Sequence, residues 1–283
     1  MSTTTPAQAT PSAPAETAPR STASGLSFAG ILRSEWIKLC TVRSTAWSYA
    51  VIVVIALGMA AIMSLSLNLG GGGALPAAAQ ATFVVQASTF GIFFGQLVVA
   101  VLGVLVVSGE YSTGMIKSTL TAVPRRLPAL WAKAAVLFAA TFVIGAVATN
   151  GSFLVAAPIL AGKGLHASLF DGAVFVPLLV GALYLALVAV FALGVGAILR
   201  NSAGGIAATL GILLLLPIVL SMIPATWAND LQPYLISTAG VGIMGLSGPG
   251  QAVLDPWQDL LIVLAWLAVS LTGAAVLLKR RDA

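Results

Sequence analysis

Residues 174–199 read VFVPLLVGALYLALVAVFALGVGAIL, an apolar run without one charged side chain. About 20 such residues cross ~30 Å of hydrocarbon at ~1.5 Å rise per residue, and this run is longer than that. Only Arg200, Asn201 and Ser202 separate it from a second apolar run, Ala203 to Met222. Two spans so joined form a tight hairpin, with Asn201 suited to a helix end and Ser202 to a helix start; a single re-entrant pair is the competing topology. Four further runs of similar character flank this pair: Thr45 to Leu67, Phe83 to Val107, Ala134 to Ala157 and Leu260 to Leu278. Six spans is the simplest count.

Composition agrees with that count. Of 283 residues, 59% are hydrophobic and 7% charged, whereas roughly a quarter of residues are charged in soluble domains. The net charge of +5 raises the question of nucleic acid. The basic side chains, however, flank apolar runs instead of sharing one polar face, which points to topology and to no nucleic-acid partner. A lone cysteine, Cys40, excludes an intramolecular disulfide and a cysteine-rich metal site. Its place beside the first run leaves acylation open.

The fold class expected is an all-α integral membrane protein with six transmembrane helices, both termini cytoplasmic and an N-terminal interfacial helix. Residues 1–27, rich in Ser, Thr, Ala and Pro, bury too little apolar surface to offset ordering entropy and are expected to be a disordered tail; no basic region followed by an apolar stretch and a cleavage site marks a signal peptide. In residues 28–44, Phe28, Ile31, Leu32, Trp36 and Leu39 share a helical face while Arg33, Lys38 and Arg43 supply charge. Either this is an amphipathic helix lying among lipid headgroups with Trp36 as anchor, or it is only the basic flank of the first span. The transmembrane domain then covers residues 45–278, and residues 279–283 form a basic cytoplasmic end.

Orientation follows from the lysines and arginines. With the N-terminus inside, all but Lys163 of the 13 fall on the inner side, and short cytoplasmic loops are where such residues accumulate. The plasma membrane is the expected location. Between the fifth and sixth spans, Ile223 to Asp259 contains three aspartates and no Lys or Arg. Its apolar stretch, Tyr234 to Leu246, argues for short helices packed on the outer face.

One inner segment stands out. Gly109 to Lys133, GEYSTGMIKSTLTAVPRRLPALWAK, is polar and basic between two apolar runs. Ser112 or Thr113 can cap a short helix with Met115, Ile116 and Leu120 on one face, opposite Lys117 and Thr121. Pro124 and Pro128 bracket Arg125 and Arg126, which calls for a turn, and Pro128 suits the first turn of the next helix. This segment reads as a docking handle for a separate soluble motor. Glu110 at its start is the candidate for an ion pair to the entry helix, through Arg33 or Arg43.

Several chemistries lack their residues. No glycine-rich cradle ends in Gly-Lys-Ser/Thr; Gly162-Lys163-Gly164 is the nearest approach and lacks both the hydroxyl and the preceding glycine. The chain therefore calls for no cofactor of its own, and ATP would be bound by a partner subunit. The six runs hold no carboxylate, histidine or lysine of the kind that couples ion movement to transport. Gln86, Gln96, Asn150 and Tyr184 are read as helix-packing hydrogen bonds. His166, the sole histidine, has no second ligand or nucleophile arranged around it, so neither a metal site nor catalysis is expected. The small residues Gly181, Gly194, Gly196, Gly205, Ala208 and Gly211 serve close helix packing, within one subunit or between two.

Two motifs carry a family resemblance. Arg33 to Trp47, RSEWIKLCTVRSTAW, with Glu35, Trp36 and Lys38 in an acidic-aromatic-basic helix before Arg43, and Gly109 to Lys133, with its Gly-Glu-Tyr opening and Pro-Arg-Arg turn, resemble the permease subunit of bacterial type-2 ATP-binding-cassette exporters. The resemblance covers about Leu32 to Leu278. It implies a pair of permease subunits, homodimeric or heterodimeric, over a cytoplasmic ATPase pair, embedded in membrane lipid. It also implies that Glu110 and the stretch Lys117 to Arg126 lie at the ATPase interface, and that the long loop after the fifth span is an outer helical cap. The glycine-rich loop at Gly70 to Gly73 and the long tail depart from that pattern. A non-transporting six-span scaffold or sensor subunit is the alternative reading.

Overall fold

The computed structural model describes residues 27–67, 76–115, 126–246 and 254–280. Among them every regular element is helical, and six helices are long and apolar enough to cross a membrane. By length and composition this is an all-α multi-pass membrane protein. Most of the expected N-terminal tail, and the chain end beyond Arg280, lie outside the described residues. Ser27 does not belong to that tail: its side chain accepts a hydrogen bond from the Gly30 amide and caps α1, Phe28–Thr41.

Val42 interrupts the helical backbone, and α2, Arg43–Ser66, begins the first span. The second is bent. Its two parts, α3 (Ala77–Thr89) and α4 (Ile92–Ser112), meet at Phe90 and Gly91, where the Phe94 amide turns to the Gly91 carbonyl. Gly91 is placed there for a steric reason: a Cβ on it would stand 2.6 Å from the Ala56 Cα of α2. The third span, α5 (Arg126–Ala161), runs well beyond its apolar portion, with Pro128 in its first turn as anticipated. The fourth, α6 (Gly172–Leu199), is capped by the Asp171 side chain on the Ala173 amide.

At the hairpin the residues share the work differently from expectation. Arg200, with φ 53°, takes the left-handed position that ends α6, and Asn201 caps the following helix by accepting from the Gly204 amide. Asn is among the best N-cap residues because its side-chain oxygen meets an orphan amide, and that use prevails over ending α6. The fifth span consists of α7 (Ser202–Leu210), a π turn over Gly211–Leu215 and α8 (Leu216–Met222). Pro217 accounts for the widened turn: it has no amide for the Leu213 carbonyl, and its ring would crowd that carbonyl in a regular helix. Two short elements follow, α9 (Thr226–Leu231) and α10 (Ile236–Ile243), separated by a 3-10 turn, before the last span, α11 (Pro256–Arg280).

α6 is the hub, buried almost continuously from Tyr184 to Ala197. Lipid is as apolar as leucine, so helices associate through close packing and hydrogen bonds more than through hydrophobic burial. Glycines supply the closeness here. A Cβ on Gly196 would lie 3.0 Å from the Val104 Cα of α4, one on Gly194 2.9 Å from the Ser270 Cβ of α11, and one on Gly145 of α5 3.1 Å from the Ala182 Cα. Gly194, Gly196 and Gly205 thus pack helices within this chain, whereas Gly211 faces open space. The Tyr184 hydroxyl donates to Gln96 Oε1, joining α6 to α4 in the core, and Asn150 donates to the Ala146 carbonyl of its own helix.

The loop after the fifth span does contain short helices, but α10 is not laid upon the bundle. Ile236 and Ala239 are fully buried, Gly240 lies against the Tyr184 ring halfway along α6, and the Trp266 indole donates to the Tyr234 carbonyl at 3.0 Å. α10 enters between α6 and α11, a position that membrane-depth backbone tolerates only when protein surrounds it. Trp266, inside the last span, is thereby engaged by the entering segment and by an edge contact with Phe191.

Candidate functional site

Four charged side chains from three helices meet where α1 crosses the bundle. Lys133 Nζ, near the start of α5, stands 2.5 Å from Glu35 Oε2 of α1 and 2.8 Å from Glu110 Oε1 near the end of α4. Lys38 Nζ, one turn after Glu35, lies 2.7 Å from Glu35 Oε1 and 3.1 Å from Glu110 Oε1. Glu35, Glu110 and Lys133 are each less than a tenth exposed.

The local sequence explains the convergence. Ile31, Glu35 and Leu39 recur every four residues, so they form one stripe, and that stripe is the buried face of α1. Ile31 packs on Ala132, which brings the neighbouring Lys133 under Glu35. The anticipated apolar face of α1 is accordingly rotated: Phe28 and Trp36 are half exposed, while a carboxylate occupies the buried stripe. The ion pair expected from Glu110 to the entry helix is made, but with Lys38, and with Lys133 besides. Arg33 and Arg43 are exposed and are not its partners, because their positions on α1 and α2 turn away from the stripe.

Burial weighs against a charged Glu35, yet the charge and hydrogen bond of Lys133, joined by those of Lys38, more than offset it and hold the carboxyl below its ordinary range. For Lys38, burial acts against the ammonium, and Glu35 and Glu110 outweigh it, so its range moves upward. Two carboxylates and two ammonium groups leave the cluster neutral. It is not fully satisfied: Glu110 Oε2 is buried and accepts no hydrogen bond among the described residues, an omission that costs about 1–3 kcal/mol or more for a charged group.

The next residue of the Gly-Glu-Tyr sequence extends the junction. The Arg200 guanidinium lies over the Tyr111 ring, 5.2 Å from its centroid, and reaches toward the Leu277 carbonyl of α11. Ser202 donates to Ser108 at 2.9 Å, tying the α6–α7 turn to α4. Ser112 and Thr113 lie at the end of α4, and the short helix expected beyond them falls, past Met115, outside the described residues. Their hydroxyls fold back on the Gly109 carbonyl, because α4 continues through Ser112 and Gly114, with φ 72°, ends it. Met115 is half exposed. Ile116, Lys117, Leu120 and Arg125, with the Arg126 side chain, lie outside the described residues.

Beside the cluster is a cavity of about 420 Å³ bounded by α1, the start of α2, α4 and α5. It runs along one face of α4, from Leu102 through Leu105 and Val106 to Glu110 and Thr113.

Lys133 is visible in the sequence only as one more basic residue. The signal that could single it out is its place at the head of an apolar run, with Glu110 closing the preceding one and Glu35 on the entry helix as candidate partners. Lys163, a poor match to a phosphate loop, closes the end of α2 instead, donating to the carbonyls of Ser64, Leu65 and Leu67 at 2.6–2.8 Å. The His166 amide donates to Gln80 Oε1. Among the described residues no three of His, Cys, Asp and Glu gather as metal ligands. Comparison with protein-family models and with curated proteins finds no match, so what this site does rests on its own residues.

Proposed function

We propose that the chain is the membrane-spanning permease subunit of an ATP-driven exporter, lying in the plasma membrane with the α1 end toward the cytoplasm. It would carry a hydrophobic or amphipathic substrate and be driven by a separate ATPase. The observation that supports this reading is the ionic cluster. Glu110 and Lys133 stand on either side of the basic segment between α4 and α5, bind each other, and both bind α1. A force applied to that segment would reach three helices at once through buried, charge-assisted bonds, the strongest class available. With no phosphate cradle in the sequence, nucleotide energy would enter from a partner whose affinity for nucleotide differs between two states of the permease.

The test is reconstitution in vesicles with any ATPase that an adjacent reading frame proves to encode. Nucleotide hydrolysis that requires the permease and is at least halved by Arg125→Glu supports the coupling role. Co-purification without permease-dependent turnover supports the scaffold reading instead. Hydrolysis by the chain alone overturns the coupling to a separate motor, and labelling of Arg125→Cys from outside the cell overturns the coupling and the orientation together.

A further inference from the structure

The cavity beside the ionic cluster has the make-up of a ligand site. Its volume, about 420 Å³, lies in the ~300–1,000 Å³ range of small-molecule pockets. Leu102 to Thr113 along α4 spans roughly 16 Å at ~1.5 Å per residue, and character changes over that length. Leu102, Leu105 and Val106, with Val136 of α5, make the deeper wall apolar, while Glu110 and the other three charged residues line the end at α1.

The chemistry of that end selects a head group. Glu110 Oε1 takes both lysine bonds, and Glu110 Oε2, buried in a residue less than a tenth exposed, takes none among the described residues. What it lacks is a donor. A cationic donor would add a third positive charge to a neutral cluster in a poorly solvated place, whereas a hydroxyl or amide N–H would supply the bond and leave the balance unchanged. We infer that this cavity binds a neutral amphiphile, its hydroxyl or amide head at Glu110 and its apolar body along Leu102, Leu105, Val106 and Val136. The site requires neither nucleotide nor a second subunit, so it stands or falls apart from the export reading.

Gly109 offers a direct means of closing it. Gly109 lines the cavity, and a Cβ there would meet nothing within 4 Å, so a side chain introduced by Gly109→Leu starts into open space. The experiment uses the purified full chain in lipid nanodiscs with a diazirine-bearing long-chain alcohol, the matching methyl ether as a probe without the donor, and mass-spectrometric mapping of the labelled peptides. The alcohol should label the 102–113 and 133–136 segments at least tenfold more than the ether does, and Gly109→Leu should remove at least four-fifths of that labelling at unchanged melting temperature. Leu105→Trp, which fills the cavity from its apolar wall, serves as a second plug should the first variant misfold. Competition by diacylglycerol added to the disc assigns the site to a bilayer lipid, and competition by octanol from the buffer alone assigns it to a solute. Equal labelling by alcohol and ether, or full labelling in both plugged variants, overturns the proposal.

Discussion

Lys133 and Lys163 lie near the two ends of α5 and solve the same problem by different chemistry. Lys133 is buried and meets two carboxylates from two other helices. Lys163 is half-buried and meets three backbone carbonyls at the end of α2. The carbonyls are partial charges that water can satisfy when the lysine leaves, whereas Glu35 and Glu110 are full charges held away from water. The α1 end is therefore a junction whose members depend on one another, and the opposite end is a set of local caps.

That contrast predicts a steep difference in tolerance. Lys133→Met leaves two buried carboxylates with only Lys38 between them and should cost about 3–5 kcal/mol, read as a large fall in the midpoint of denaturant-induced unfolding in mixed micelles. Adding Glu110→Gln to Lys133→Met should restore part of the loss, since it removes one uncompensated charge. A neutral outcome for Lys133→Met would mean that the junction at α1 is no more interdependent than the caps at the opposite end. Lys38→Met should cost less, about 1.5–3 kcal/mol as an upper range for bonds to charged groups, because Lys38 is partly exposed and Lys133 still serves both carboxylates. Lys163→Met should cost about 1 kcal/mol, with the added expectation of faster hydrogen exchange confined to the last turn of α2.

The smallest effect at neutral pH is that of titration. The folded-state range of Glu35 lies below its ordinary value of 4.5, so the stability it contributes is present above that pH and is lost as pH falls through the lower, folded range. The range of Lys38 lies above 10.5; its contribution is complete below that value and is lost as pH rises through the raised range. An acid fall in the melting profile that Glu35→Gln reduces is the expected result. An acid fall unchanged in Glu35→Gln would place the sensitivity elsewhere.

Much of the architecture was legible in the chain. Runs of apolar residues too long for any soluble core announce membrane-crossing helices whatever their neighbours are, because backbone groups in hydrocarbon must be satisfied within the segment. Pro128 at the start of α5 and the tight turn at Arg200 were equally local matters. The candidate site was legible only in part. Glu110 and the charges of the entry helix were named, yet Arg33 and Arg43 were as plausible as Lys38 on charge alone, and Lys133 was one basic residue among several. The descent of α10 to Tyr184 left no pattern of its own, since Tyr234 to Leu246 reads alike whether laid on the bundle or inserted in it.

The division has a physical basis. Periodicity, length and capping are properties of neighbours along the chain, so they alone set which residues become helix and which helices are apolar enough to span. Which lysine reaches Glu110, and which glycine admits which backbone, depend on the rotation and depth of each helix against the others. Packing at distances of a few ångströms settles those, and no stretch of chain read alone contains it.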